Sequence, residues 1–137
     1  MDKPEIAKPI PTPTAETQAY WQAAANGKLM LQTCNQCQTL QSLPRPFCGA
    51  CQSEALSWHE ASGRGTVISY SWVERGPTKA FASPYMLALI ELEEGVRLML
   101  NIIGDNAEQA RIGDAVEIVF EARGDEGFQL PQAKLAR

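Results

Sequence analysis

The chain has 137 residues, with 12 Lys and Arg against 16 Asp and Glu, one His and four Cys. That length suits one domain, or one small barrel with an appendage, and 45% hydrophobic residues suffice for a core. The net charge of −4 argues against a general nucleic-acid binder, and no apolar run approaches the roughly 18 residues of a membrane span.

The opening MDKPEIAKPIPTPTAET lacks the apolar stretch of a secretory signal, so a reducing, cytoplasmic setting is the expectation. Residues 1–14 carry Pro4, Pro9, Pro11 and Pro13 and read as a flexible, extended arm. Residues 15–28 read as a helix of good helix formers, with Thr14 or Thr17 as N-cap and Asn26-Gly27 as the stop. Its pairs Tyr20/Ala24 and Trp21/Ala25 form an apolar stripe, which docks either on the chain's own body or, through Tyr20 and Trp21, on a partner subunit.

Residues 29–60 hold the strongest signal. A short strand, KLMLQT, feeds Cys34-Asn-Gln-Cys37, and ten residues later comes Cys48-Gly-Ala-Cys51. Each pair sets two sulfurs on one side of a tight turn, and two such pairs offer four thiolates in the tetrahedral arrangement that Zn2+ takes in a closed structural site. Iron bound as in rubredoxin uses the same ligand set, so the spacing leaves Zn and Fe open. All four cysteines are used and no coordination position is left open, which makes the site structural. In the intervening LPRPFC, Pro44 and Pro46 hold the chain extended around Arg45.

From residue 61 to 137 the hydrophobic period changes to two. TVISYSWV, MLALIEL, VRLMLNII and AVEIVFEA read as strands, with a last short strand over residues 128–133. Glu-Glu-Gly joins the second and third into a hairpin, with Ile90 and Leu92 inward and Val96, Leu98, Leu100 and Ile102 on one face of the return strand. Residues 105–110 read as a helical turn or loop. Five strands this short leave edges exposed unless they close, so a small barrel of OB type is expected, with SH3-like barrels and split sandwiches as alternatives. The fold class is thus mainly β: an N-terminal helix, a four-Cys ribbon and a five-stranded barrel.

The ordered combination of YWQAAANGKLMLQTC, the two Cys-x2-Cys pairs around LPRPFC, LSWHEASGRGTVISYSWVER, LIELEEGVRLMLNIIG and RIGDAVEIVFE resembles the domain-of-unknown-function 35 family, over about residues 18–133. One departure is that Gln38 and Gln52 stand where ribbon knuckles often carry Gly. The resemblance implies a helix, a rubredoxin-like zinc ribbon and an OB-fold, and an accessory subunit that helps hold CoA or acyl-CoA and scaffolds a thiolase-like partner (a thiolase, aldolase or acyltransferase). The partner would then carry the catalytic groups. The residues agree: His59 has no readable orienting partner, the thiols are committed to metal, and no phosphate loop, dinucleotide fingerprint or Gly-x-Ser-x-Gly motif is present.

OB barrels bind ligands through the loops after their first and fourth strands. In the first, residues 76–84, Arg75 and Lys79 offer cations for CoA phosphates, and Phe81 and Tyr85 offer aromatic surface. The other, residues 124–127, is acidic. Two competing functions are a single-stranded nucleic-acid binder and a rubredoxin-like electron carrier. Residues 63–137 carry 8 Lys or Arg against 11 Asp or Glu, the wrong sign for a nucleic-acid groove.

Overall fold

A computed structural model describes residues 8–81, 84–124 and 127–136. The helix α1 covers Gln18–Ala25, with Thr17, one of the two expected threonines, at its N-cap, although its side chain makes no capping bond. Thr14 and Thr17 spend their hydroxyls on each other's backbone: Thr17 Oγ1 accepts from the Thr14 N–H at 2.8 Å, and Thr14 Oγ1 accepts from the Thr17 N–H at 3.3 Å. Residues 15–17 form a turn, and the helix starts only after it. The helix ends at Asn26, with Gly27 at φ +77° turning the chain into the first strand.

Three strands build the ribbon: β1 (Met30–Cys34), β2 (Leu40–Gln41) and β3 (Leu56–Glu60), in the order β2-β1-β3. Both pairings are antiparallel. Both faces of β1 are buried, through Leu31 on one and Gln32 and Cys34 on the other. Leu31 is fully buried, and with Leu29 it enters the same core as the barrel residues Val67, Ile90 and Val116. Ribbon and barrel therefore share one hydrophobic core across residues 60 and 61.

The barrel is closed, as the strand pattern implies. Its strands are β4 (Arg64–Val73), β5 (Tyr85–Leu92), β6 (Arg97–Ile103), β7 (Ala115–Arg123) and β8 (Phe128–Leu135), in the order β4-β5-β6-β8-β7. On β5 every second residue, from Met86 to Leu92, is buried. The hairpin between β5 and β6 turns at Gly95, φ +86°, and Glu93 there pairs with Arg64 through bonds of 2.8 and 3.0 Å. That contact holds the Glu93 carboxyl below its ordinary range. Residues 105–110 contain a single 3-10 turn, Ala107–Gln109. The last strand runs two residues further than its pattern suggests, because Lys134 and Leu135 pair with Glu117 and Val116.

The first described residues of the proline-rich arm have no regular structure but lie against the barrel. Arg123 Nη1 donates to the Pro9 carbonyl at 2.9 Å, and the Lys8 ammonium sits 5.8 Å from the Phe81 ring centre. The first seven residues of that arm lie outside the described residues, as do Ala82 and Ser83, Asp125 and Glu126 of the two ligand-loop candidates.

Gly65 shows how tightly β4 meets β5. A Cβ there would lie 2.8 Å from both the Glu91 carbonyl oxygen and Ile90 Cγ2, inside van der Waals contact. Replacing Gly65→Ala is expected to cost about 1–3 kcal/mol, since the backbone on one side must move. Chemical denaturation of the metal-loaded chain, read by Trp fluorescence, measures the loss.

Candidate metal centre and binding surfaces

The four cysteines converge. Their Sγ atoms all lie within 4.8 Å of one another, with Cys34–Cys51 at 3.5 Å and Cys37–Cys48 at 3.7 Å. Tetrahedral Zn–S bonds of about 2.3 Å require S···S separations of about 3.8 Å, so the cluster has the dimensions of a metal site. Backbone amides are aimed at the sulfurs: the Cys37 N–H lies 3.4 Å from Cys34 Sγ, and the Ala50 and Cys51 N–H groups lie 3.3 and 3.5 Å from Cys48 Sγ. These donors favour thiolate over thiol. The Thr39 hydroxyl, 3.1 Å from Cys37 Sγ, is the main cause that lowers the Cys37 thiol to about 6. Cys34 and Cys48 are buried, whereas Cys37 and Cys51 are exposed at the rim.

The two glutamines that replace knuckle glycines adopt the glycine conformation. Gln38 has φ +65° and Gln52 φ +66°, the two positive-φ residues other than Gly among the described residues. Each N–H closes its knuckle onto the first cysteine's carbonyl, at 2.9 Å in both. Their side chains tolerate a strained backbone because the metal loop needs that turn. Substituting Gln38→Gly or Gln52→Gly is expected to stabilise the loaded chain by about 0.5–1 kcal/mol, strain relief exceeding the entropy of Gly in the unfolded chain. Thermal unfolding with metal bound measures this.

A support that the sequence does not reveal lies behind the centre. Gln32, buried on β1, accepts from the Arg45 N–H at 2.9 Å and from Gln41 Nε2 at 2.7 Å, and donates to the Arg45 carbonyl at 3.0 Å. Gln41 Oε1 then accepts from the Gly49 N–H at 3.0 Å. Through this relay the LPRP segment and the second knuckle are pinned to the strand that carries Cys34. A Gln in a strand reads as a surface residue, so no local signal marks it. The Arg45 guanidinium folds back over Gly49.

The helix residues separate. Tyr20 is partly buried against the chain's own core, and burial pushes its hydroxyl up to about 12. Trp21 stays half-buried and packs on Phe128 of β8, ring centres 5.7 Å apart, along a groove of about 250 Å3 that Pro13, Ala25 and Gly127 help to line. Arg75 and Lys79 are exposed, and Phe81 and Tyr85 are half-buried, all four flanking the connection between β4 and β5. Gly76 is pressed against Phe81 there, with space for no Cβ: the Phe81 carbonyl oxygen would lie 2.6 Å away. His59 is exposed on β3 opposite Leu31. An open cleft of about 650 Å3 lies elsewhere, beside β4, with Tyr70, Trp72 and Arg111 in its wall.

Metal loading requires thiolates, so protons compete with the ion and affinity must fall as pH falls through the thiol range. Cys48→Ser is expected to lose the bound metal and to expose the ribbon amides to rapid hydrogen exchange. Elemental analysis and amide exchange check both, and loaded protein is expected to be colourless if the ion is Zn2+.

Comparison with known proteins agrees with this geometry. The family described as "ChsH2, rubredoxin-like zinc ribbon domain" matches residues 21–57, and "ChsH2, C-terminal OB-fold domain" matches residues 58–121. A DUF35 domain-containing scaffold protein of Methanothermobacter thermautotrophicus is 36% identical over 97 residues, covering 69% of this chain and 72% of the relative. A probable enoyl-CoA hydratase alpha subunit of Thermomonospora curvata is 37% identical over 111 residues, 81% of this chain; the chain spans only 35% of that relative's length. Among solved structures, one described as Ltp2-ChsH2(DUF35) aldolase superposes with a TM-score of 0.82 at 34% identity, over 93% of this chain and all of that one. A DUF35 protein of unknown function from Sulfolobus solfataricus, 16% identical with a TM-score of 0.63, shares the fold over 88% of this chain and 85% of its own. With its helix, four-thiolate ribbon and closed barrel in the same order, the chain belongs to the DUF35 family.

Proposed function

We propose that this chain is a non-catalytic subunit that scaffolds a thiolase-like partner and helps to hold the partner's CoA or acyl-CoA substrate. The observation that carries the reading is the 34% identical chain, matched over its full length, that belongs to an aldolase with a named second component, Ltp2. Relatives named as scaffold proteins point the same way. The chemistry of the chain is consistent with it. The thiolates are drawn together for metal, and the one His stands exposed on an edge strand. Zn2+ in the four-Cys site would supply folding stability, with the ribbon held to β1 on one side and the barrel core on the other.

For CoA, the supporting features are the exposed cations Arg75 and Lys79 beside the half-buried rings of Phe81 and Tyr85, with Lys8 reaching the same ring from the arm. These groups match a phosphate-bearing nucleotide in kind, and the chain's net charge of −4 implies that the partner completes the site. The setting we assign is a reducing one, the cytoplasm; no helix among the described residues is long and apolar enough to cross a membrane.

The test is to purify the tagged chain from its native host. A thiolase-like protein recovered in fixed ratio supports the scaffold reading; the chain alone, or bound nucleic acid, sinks it. Within the recovered complex, Arg75→Ala with Lys79→Ala is expected to weaken acyl-CoA binding by about tenfold or more, two charge-assisted contacts being lost. Isothermal titration with an acyl-CoA measures it, and unchanged affinity would place the ligand elsewhere.

A further inference from the structure

The most unusual surface of the molecule is one edge of β4. This strand has β5 along its whole length on one side, from Gly65↔Leu92 to Val73↔Tyr85. On the other side β7 pairs with it only at Arg64, Gly65 and Thr66. The lead-in to β7 continues the contact for one more residue, where the Val67 N–H donates to the Asp114 carbonyl and the Gly113 N–H to the Val67 carbonyl. Over residues 69–73 no second strand follows among the described residues. Half of the main-chain groups of such a segment point away from its partner strand, at the spacing of a β-ladder.

Edges of this kind are normally defended by charge, Pro or brevity. The other edges here are defended: β2 has two residues, and β3 ends in His59 and Glu60. From Thr66 to Val73, the sequence TVISYSWV has no charge and no Pro, and it is rich in residues that favour strands. A bulge between Val67 and Ser69 sets the second half of β4 at a new angle. It also leaves Tyr70 and Trp72 on the face they share with the buried Ala88 and Met86, yet 38% and 37% exposed. Both rings line the open cleft of about 650 Å3, with Met86 at its base and Glu108, Gln109 and Arg111 opposite. Arg111 is itself fixed: its Nη1 donates to the Ala110 and Glu108 carbonyls, and its guanidinium lies 5.9 Å from the Tyr70 ring centre.

We infer that residues 69–73 of β4 receive an extended segment of the partner protein, which adds to the barrel as a further antiparallel or parallel strand and sets apolar side chains between Tyr70 and Trp72. This rests on the scaffold reading and goes beyond it by assigning the docking edge. The open ladder demands main-chain donors and acceptors at strand spacing, which a polypeptide supplies and a small ligand does not. A second copy of this chain is disfavoured by its net charge of −4, which two copies would set against each other. A nucleic acid strand meets Glu108 in the cleft and an acidic chain around it.

The experiment uses the complex with the co-purifying thiolase-like subunit, compared with the free chain, by amide hydrogen exchange. Amides of residues 69–73 are expected to exchange rapidly in the free chain and at least about tenfold more slowly in the complex. In parallel, Tyr70→Ser with Trp72→Ser is expected to weaken binding of the purified subunit by about tenfold or more, central aromatics carrying much of an interface. Metal content and thermal unfolding of that variant verify its fold. Unprotected edge amides in an intact complex overturn the inference while leaving the scaffold reading in place. So does retained binding by the double variant together with loss of binding in Leu43→Glu or Phe47→Glu, two exposed residues of the ribbon. Edge protection that appears in the isolated chain and grows with its concentration assigns the edge to a second copy. Failure of any thiolase-like subunit to associate overturns both readings.

Discussion

The five residues of β1 join two kinds of stability. Leu31, fully buried, belongs to the barrel's hydrophobic core, and Cys34, three residues further, belongs to the thiolate cluster. Neither part is self-sufficient. A segment the size of the ribbon buries too little apolar area to hold itself together, and metal coordination supplies what is missing. The barrel in turn has its core completed by Leu29 and Leu31, which come from outside its own strands. Metal release therefore bears on the barrel as well as on the ribbon, because the side chains that plug the core are anchored by the strand that leads into the knuckle. The buried Gln32 between them extends the linkage sideways, tying the LPRP segment to the same strand.

Perturbed titratable groups and surface aromatics occupy different parts of the molecule. Here the strongly perturbed groups are the metal cysteines, and a tyrosine partly buried against the core. Several aromatic side chains at the surface line open features, Trp21 and Phe128 along one groove and Tyr70 and Trp72 along another, while Phe47 and Trp58 are exposed on the ribbon. Open, shallow and aromatic surfaces suit protein partners more than enclosed small molecules.

Much of this was legible in the residues alone, and the reasons differ by element. The barrel strands announced themselves because each buries one face, so Met86, Ala88, Ile90 and Leu92 alternate cleanly with their neighbours. The metal ligands were legible because Cys-x2-Cys spacing is dictated by turn geometry. The two short ribbon strands beyond β1 left little trace: Leu56–Glu60 is exposed on both faces and so has no alternation to read. The helix start was legible in Thr17, which sits at the N-cap, but its hydroxyl bonds Thr14 and not the first turn of the helix. Gln38 and Gln52 looked like departures from a ribbon, and only their positive φ shows that the knuckle keeps its shape with a costlier residue. The open edge of β4 was hidden for a different reason. A strand's own sequence says that it will pair, but which neighbour runs out, and where, is a property of the closed barrel.

The barrel's closure has a consequence for how the chain assembles itself. β4, β5 and β6 form one meander of near neighbours, and β7 and β8 form a separate hairpin. The two units meet through three residue pairs between β4 and β7 and two parallel pairs between β6 and β8, Ile102↔Ala133 and Ile103↔Lys134. The second seam is reinforced by one side chain, the buried Gln132, whose Oε1 accepts from the Asn101 N–H at 3.0 Å. Local pairings close quickly, whereas those that span long loops wait on chain entropy. The meander and the hairpin therefore form as early units, and the slow event is their mutual docking along these two narrow seams. The seam between β6 and β8 is the narrower of the two, and Gln132 bridges it with a side-chain bond.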